Sequence, residues 1–149
     1  MIIREMRKGD VLKLMPLFKR CFEDIEASED FNAADSMMTM LNILKSDAVV
    51  LVCVEASKFL GIIAFMIVPS LFNKKYKKAV EVFWHPDPLL DLKKKAKVMV
   101  SLFNRAKLKL DVLKVNSVHV GVMPKNKIGN FLQRKGFLLR ENNYVMEVC

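Results

Sequence analysis

The sequence predicts an α/β domain of mixed α+β order, about four helices around a sheet of about seven strands. Apolar residues recur at helical spacing in four separate segments, two long β-branched runs stand back to back across a short polar break, and turn residues close almost every element. At 149 residues, 52% hydrophobic and 28% charged, the chain is sized for a single domain over residues 1–149 and has enough apolar surface to fold without cross-links.

Met1 to Met6 reads as a short strand, and Gly9-Asp10 offers a turn and cap before a helix over 11–24. Val11, Leu14, Leu17, Phe18, Cys21 and Phe22 share one face of that helix, which contains Pro16. After the acidic run 23–30, Ala33, Met37, Met40, Leu41 and Leu44 mark a second helix ending near Lys45-Ser46. Residues 48–55 and 60–68 then form a hairpin around Ala56-Ser57-Lys58-Phe59, and their near-continuous hydrophobicity implies cover on both faces.

The lysine-rich stretch 70–78 is expected as an exposed loop, followed by a strand over 79–85 closed by Pro86 and Pro88. Strict alternation there puts Glu81, Phe83 and His85 on one face, and Val80, Val82 and Trp84 on the other. A helix over 92–110, a strand over 117–122, a helix over 125–135 stopped by Gly136, and a final hairpin of strands 137–140 and 144–148 complete the order β-α-α-β-β-β-α-β-α-β-β.

Cys21, Cys53 and Cys149 are too few and too scattered for a disulfide framework or a zinc site, so they are expected as free thiols and no metal is expected. The charge of +9 is uneven: residues 1–72 hold 8 Lys or Arg against 10 Asp or Glu, and residues 73–149 hold 17 against 6. Such a basic half suits an anionic ligand, an acidic protein partner or nucleic acid. For nucleic acid the relevant lysines are 74–78, 93–97 and those near residue 107, although no nucleic-acid-binding motif accompanies them. Glu55, Ser57 and Lys58 interrupt the apolar stretch 49–68, so neither a spanning segment nor a membrane partner is expected, and the location expected is cytoplasmic.

The order of elements resembles that of the GNAT N-acetyltransferase superfamily over nearly the whole chain. Two segments carry the likeness: Val80-Glu-Val-Phe-Trp-His-Pro-Asp87, similar to the family's fourth strand and its turn, and Asn126-Lys-Ile-Gly-Asn-Phe-Leu-Gln-Arg-Lys-Gly-Phe137, similar to its last helix. The resemblance implies a mixed, mostly antiparallel sheet and transfer of an acetyl group from acetyl-CoA to a small-molecule or protein amine. The cofactor would lie between the strands 79–85 and 117–122, with Phe83, Trp84, His85, Lys93, Lys94, Lys95 and Asn126 as the binding residues. Glu81 is the first candidate base and His85 the second. Leu132 stands near the position of the family's proton-donating tyrosine, leaving Tyr144 as a distant substitute.

The pyrophosphate loop departs from the family pattern. Where glycines are expected the chain reads Leu89-Leu-Asp-Leu-Lys-Lys-Lys95. Lys93 to Lys95 either replace backbone amides as phosphate ligands or form a solvated first helical turn capped by Asp91. The altered loop is similar to that of small GNAT-like proteins of bacteriophages. It therefore implies a second reading, an inactive binding or structural domain located in the host cytoplasm or virion.

Overall fold

The computed structural model describes residues 1–25, 29–122, 128–140 and 146. Its strands are β1 (Ile2–Glu5), β2 (Ala48–Glu55), β3 (Lys58–Pro69), β4 (Lys77–Pro86) and β5 (Ser117–His119). Its helices are α1 (Val11–Asp24), α2 (Ala33–Lys45), α3 (Leu92–Val112) and α4 (Ile128–Arg134). The sheet runs β1-β2-β3-β4-β5 in space, antiparallel except for the parallel pair β4–β5. A parallel pair needs a crossover, and α3 supplies it.

The hydrophobic hairpin is covered on both faces, as its composition requires. Val49, Leu51 and Cys53 of β2 pack with α3 and α4, while Val50 and Val52 pack with α1 and α2. Each buried Leu, Ile or Phe in these two layers contributes about 1.5–3 kcal/mol. Gly61 is fixed by this packing, because an added Cβ would stand 2.7 Å from Val98 Cγ1 and 3.0 Å from the His85 carbonyl oxygen. Here α3 crosses the sheet too closely for any side chain.

Caps set the helix bounds. Asn32 Oδ1 accepts the Asp35 N–H at 3.1 Å, and Asp91 Oδ1 accepts the Lys94 N–H at 2.8 Å. Gly136, at φ +89°, ends α4: its N–H reaches the Gln133 carbonyl at 3.0 Å, and the Phe137 N–H reaches that of Leu132 at 3.1 Å.

Five strands are present among the described residues, against about seven expected. Residues 137–140 form no strand; Phe137 instead turns back onto Phe103, centroid to centroid 5.8 Å. The expected strand 144–148 lies outside the described residues apart from Met146, which is in no strand. β5 stops at His119 rather than at residue 122. The β2–β3 turn shrinks to Ala56 and Ser57, whose positive φ values of 46° and 63° suit a two-residue hairpin, so β3 begins at Lys58.

Candidate functional site

The parallel pair β4–β5 opens into a fork. Lys78, Ala79 and Val80 pair with Ser117, Val118 and His119, and there the pairing ends although β4 runs on to Pro86. At the vertex the Gly121 N–H donates to Glu81 Oε2 at 3.1 Å. Partial burial pushes the Glu81 carboxyl above its ordinary range, and the single amide bond, which favours the charged form, does not offset it. The C-terminal ends of diverging parallel strands are where open α/β sheets hold ligands, because backbone groups there lack a strand partner.

A β-bulge decides which face Glu81 occupies. Ala64 pairs with Phe83 but Phe65 pairs with Glu81, leaving Val82 as the extra residue on β4. Its partner Phe65 lies in the α3–α4 layer, so Glu81 faces that layer together with Ala79 and Trp84. Phe83 and His85 pair with Ala64 and Ile62 of the α1–α2 layer. The expected face shared by Glu81, Phe83 and His85 is therefore corrected, as is the pairing of Trp84 with Val80: the bulge inverts the alternation within the strand.

Phe83 stacks edge-on against Phe18 at 5.2 Å. His85 has Nδ1 2.6 Å from the Pro86 carbonyl oxygen and Nε2 3.1 Å from Asp24 Oδ2, so both ring nitrogens face oxygen acceptors away from the fork. Trp84 is core: its Nε1–H donates to the Met99 carbonyl at 3.3 Å and its ring packs on Phe103. Only the backbone of these residues is placed to meet a ligand in the fork.

The turn from β4 into α3 is fixed by charge. Arg20 donates through Nε and Nη2 to both oxygens of the buried Asp87, at 3.0 and 2.7 Å, and the Leu89 N–H adds a third bond at 3.1 Å. Burial alone would raise the Asp87 carboxyl, but the Arg20 bonds, the Leu89 amide and the nearby positive charge together hold it below the usual range. In the first turn of α3, Asp91 takes the Lys94 amide while Lys94 Nζ grips both Glu55 oxygens at 2.9 and 2.7 Å. Lys93 is exposed and Lys95 half-buried on the side of Asp87.

Solved structures with this arrangement span the chain from end to end. A probable acetyltransferase superimposes with a TM-score of 0.79 at 15% identity, covering 100% of this chain and 99% of its own. A GNAT family acetyltransferase from Staphylococcus aureus follows at 0.72 and 13%, covering 99% and 98%. The fold is the GNAT fold. A predicted acetyltransferase from Clostridium acetobutylicum, solved with acetyl-CoA, shares the GNAT fold with this chain at a TM-score of 0.74 and 13% identity, covering 99% and 95%. No protein-family model matches the sequence, and no curated protein matches it.

Glu81 and the part of β4 beyond its pairing with β5 border the fork. Tyr144 and Asn126 lie outside the described residues. Leu132 is buried among the apolar residues of the α3–α4 layer. Cys21 and Cys53 are buried free thiols, and desolvation, aided by the Asp87 charge, pushes the Cys21 thiol up to about 12, which removes it as a nucleophile. The partners Arg20, Gly121 and Glu55 were not visible in the sequence, since each meets its target from at least 39 residues away.

Proposed function

We propose that the protein is a GNAT-type N-acyltransferase that moves an acetyl group from acetyl-CoA to an amine, with Glu81 as the general base. One observation carries this reading: among the described residues Glu81 is the one carboxyl held above its ordinary range, and it stands at the vertex where β4 and β5 part.

The fork fits acetyl-CoA unevenly. Beyond Glu81, β4 offers an unpaired backbone edge suited to the amide-bearing arm. At the pyrophosphate end, Asp91 places a carboxylate over the first turn of α3 and takes one of its amides, so anion binding would fall to Lys93 and Lys95 as point charges. When bound, acetyl-CoA supplies the activated acyl carbon. Glu81, as carboxylate, would take a proton from the substrate's ammonium group, freeing the nitrogen lone pair to bond to the acyl carbon as the acyl–sulfur bond breaks. The departing CoA thiolate would regain its proton from water, since Leu132 cannot donate one. A base whose pKa lies nearer to neutrality is better matched to that transfer than an ordinary carboxylate. The carboxylate form must be populated, so the rate is expected to rise with pH through the Glu81 titration.

Calorimetric titration with acetyl-CoA, followed by an amine acceptor screen of wild type and Glu81→Gln, tests the reading. Binding with transfer that collapses in the variant supports it. The Asp91 cap favours a second reading, a GNAT-fold binding domain without turnover, and absence of binding even at saturating cofactor would select that one.

A further inference from the structure

The end of the sheet remote from the β4–α3 turn carries a surface that the fork does not use. The β3–β4 connection is a built loop: the Ser70 N–H reaches the Tyr76 carbonyl at 2.7 Å, the Tyr76 N–H reaches that of Asn73 at 2.9 Å, and the Lys75 N–H reaches Asn73 Oδ1 at 3.1 Å. On its tip Leu71 and Phe72 are 88% and 94% exposed. Two adjacent large apolar side chains held outward by an ordered turn are costly in water and mark a contact surface.

Lysines surround them. Residues 70–78 hold Lys74, Lys75, Lys77 and Lys78 and no carboxylate. Lys77 is tied to Asn116 twice, its N–H to Asn116 Oδ1 and its carbonyl to the Asn116 N–H, both at 2.8 Å. That bond sets the loop beside the α3–β5 connection, where Val112 is 81% exposed, Leu113 41%, and Lys114 adds a fifth positive charge. Of the carboxylates at this end, Asp111 is paired with Lys107 and Glu5 with Lys109, which leaves Asp47.

We propose that this end of the molecule docks onto an anionic lipid surface, with Leu71 and Phe72 entering the headgroup region and the lysines meeting the phosphates. A convex apolar tip ringed by flexible cations suits an interface, since the lysine stems lie along the apolar layer while their ammonium groups stay with the headgroups. The arrangement is less suited to nucleic acid, because leucine adds nothing to base stacking. Lys93–Lys97 also sit at the far end of the 21-residue α3, about 30 Å away at 1.5 Å per residue, so the lysines do not form one track. The sequence argued against a spanning segment and hence against a membrane partner, and no described helix is long and apolar enough to cross a membrane. The peripheral contact proposed departs from that expectation, since it needs no spanning segment.

The test is sedimentation of the whole chain with vesicles of phosphatidylcholine alone and of phosphatidylcholine mixed with phosphatidylglycerol. A Phe72→Trp variant is read in parallel, since the native Trp84 is buried and reports little. Binding is expected to the anionic vesicles only, with a blue shift of the new tryptophan. Leu71→Asp/Phe72→Asp and Lys74→Gln/Lys75→Gln/Lys77→Gln should each weaken it by at least about tenfold at unchanged Tm. Equal binding to neutral vesicles, no blue shift, or binding indifferent to the Asp pair would overturn the proposal. So would tight binding of single-stranded DNA that the Lys variant loses and the Asp variant keeps, which would assign the lysines to nucleic acid.

Discussion

Asp87 and Glu81 lie six residues apart on the same strand and its exit, yet the protein treats the two carboxylates in opposite ways. Asp87 receives three hydrogen bonds, two of them from Arg20, and is held ionised. Glu81 receives one, from Gly121, and burial pushes it toward the neutral form. A carboxylate saturated with donors fixes backbone and has little capacity for anything else. One left partly desolvated, beside an open strand edge, is the kind of group that a proton-transfer role would use. The contrast separates a carboxylate that positions the chain from the one proposed to react.

The largest expected effect is on the reactive side. Glu81→Gln should lower acetyl transfer by on the order of a hundredfold, about 2.7 kcal/mol in barrier, with acetyl-CoA affinity nearly unchanged. It should also flatten the rise of rate with pH. Its effect on stability has the opposite sign: a carboxyl raised in the fold stabilises below its unfolded pKa, and that contribution disappears as pH rises through the folded value. At neutral pH the Gln variant should therefore unfold at equal or higher urea. A variant that keeps full activity would remove Glu81 from the chemistry and reduce the contrast to two structural carboxylates.

On the positioning side, Arg20→Ala leaves Asp87 buried with a single amide donor and should cost about 2–3 kcal/mol of stability at neutral pH. A lowered carboxyl stabilises above its unfolded pKa and loses that contribution as pH falls through the folded value, so the gap between variant and wild type should narrow in acid. Urea melts across that range read both the size and the slope. A smaller cost, about 1–2 kcal/mol, is expected for Gly61→Ala, because the new Cβ meets backbone of β4 as well as Val98 and the strand or α3 must move. If Gly61→Ala also shifts the activity of a folded enzyme, the fork depends on that close crossing.

Much of this framework was legible because its signals are local. The bounds of α1, α2 and β2 follow from apolar spacing, although Asp10, expected to cap α1, binds Arg4 and the Arg7 N–H instead, and the stop at Gly136 follows from one residue's tolerance of positive φ. The illegible features are those that depend on partners distant in sequence. Nothing in Val80 to His85 announces the bulge at Val82, so strict alternation put Glu81 on the wrong face. Asp87 was visible as part of a turn, but Arg20, 67 residues earlier, was not. Ala56 and Ser57 hold positive φ without the Asn or Gly that would signal it, because the paired strands on both sides impose the turn.

The smallest effect on stability is also the sharpest test of the pyrophosphate end. Asp91 satisfies the Lys94 amide and brings a negative charge to the position where an anion would meet the start of α3. Asp91→Gly removes both at a stability cost of a few tenths of a kcal/mol, since glycine is a tolerable cap. If that carboxylate is what separates this turn from a phosphate-binding one, the variant should bind CoA several-fold more tightly, with the gain greatest at low salt, where a removed repulsion is least screened. Titration of both proteins with CoA and with its dephosphorylated pantetheine fragment reads this directly, because only the phosphate-bearing ligand should respond. An equal gain for both ligands would trace the effect to a loosened helix start, and no gain would mean that Leu89, Leu92 and the lysines, rather than the cap, determine how the turn receives an anion.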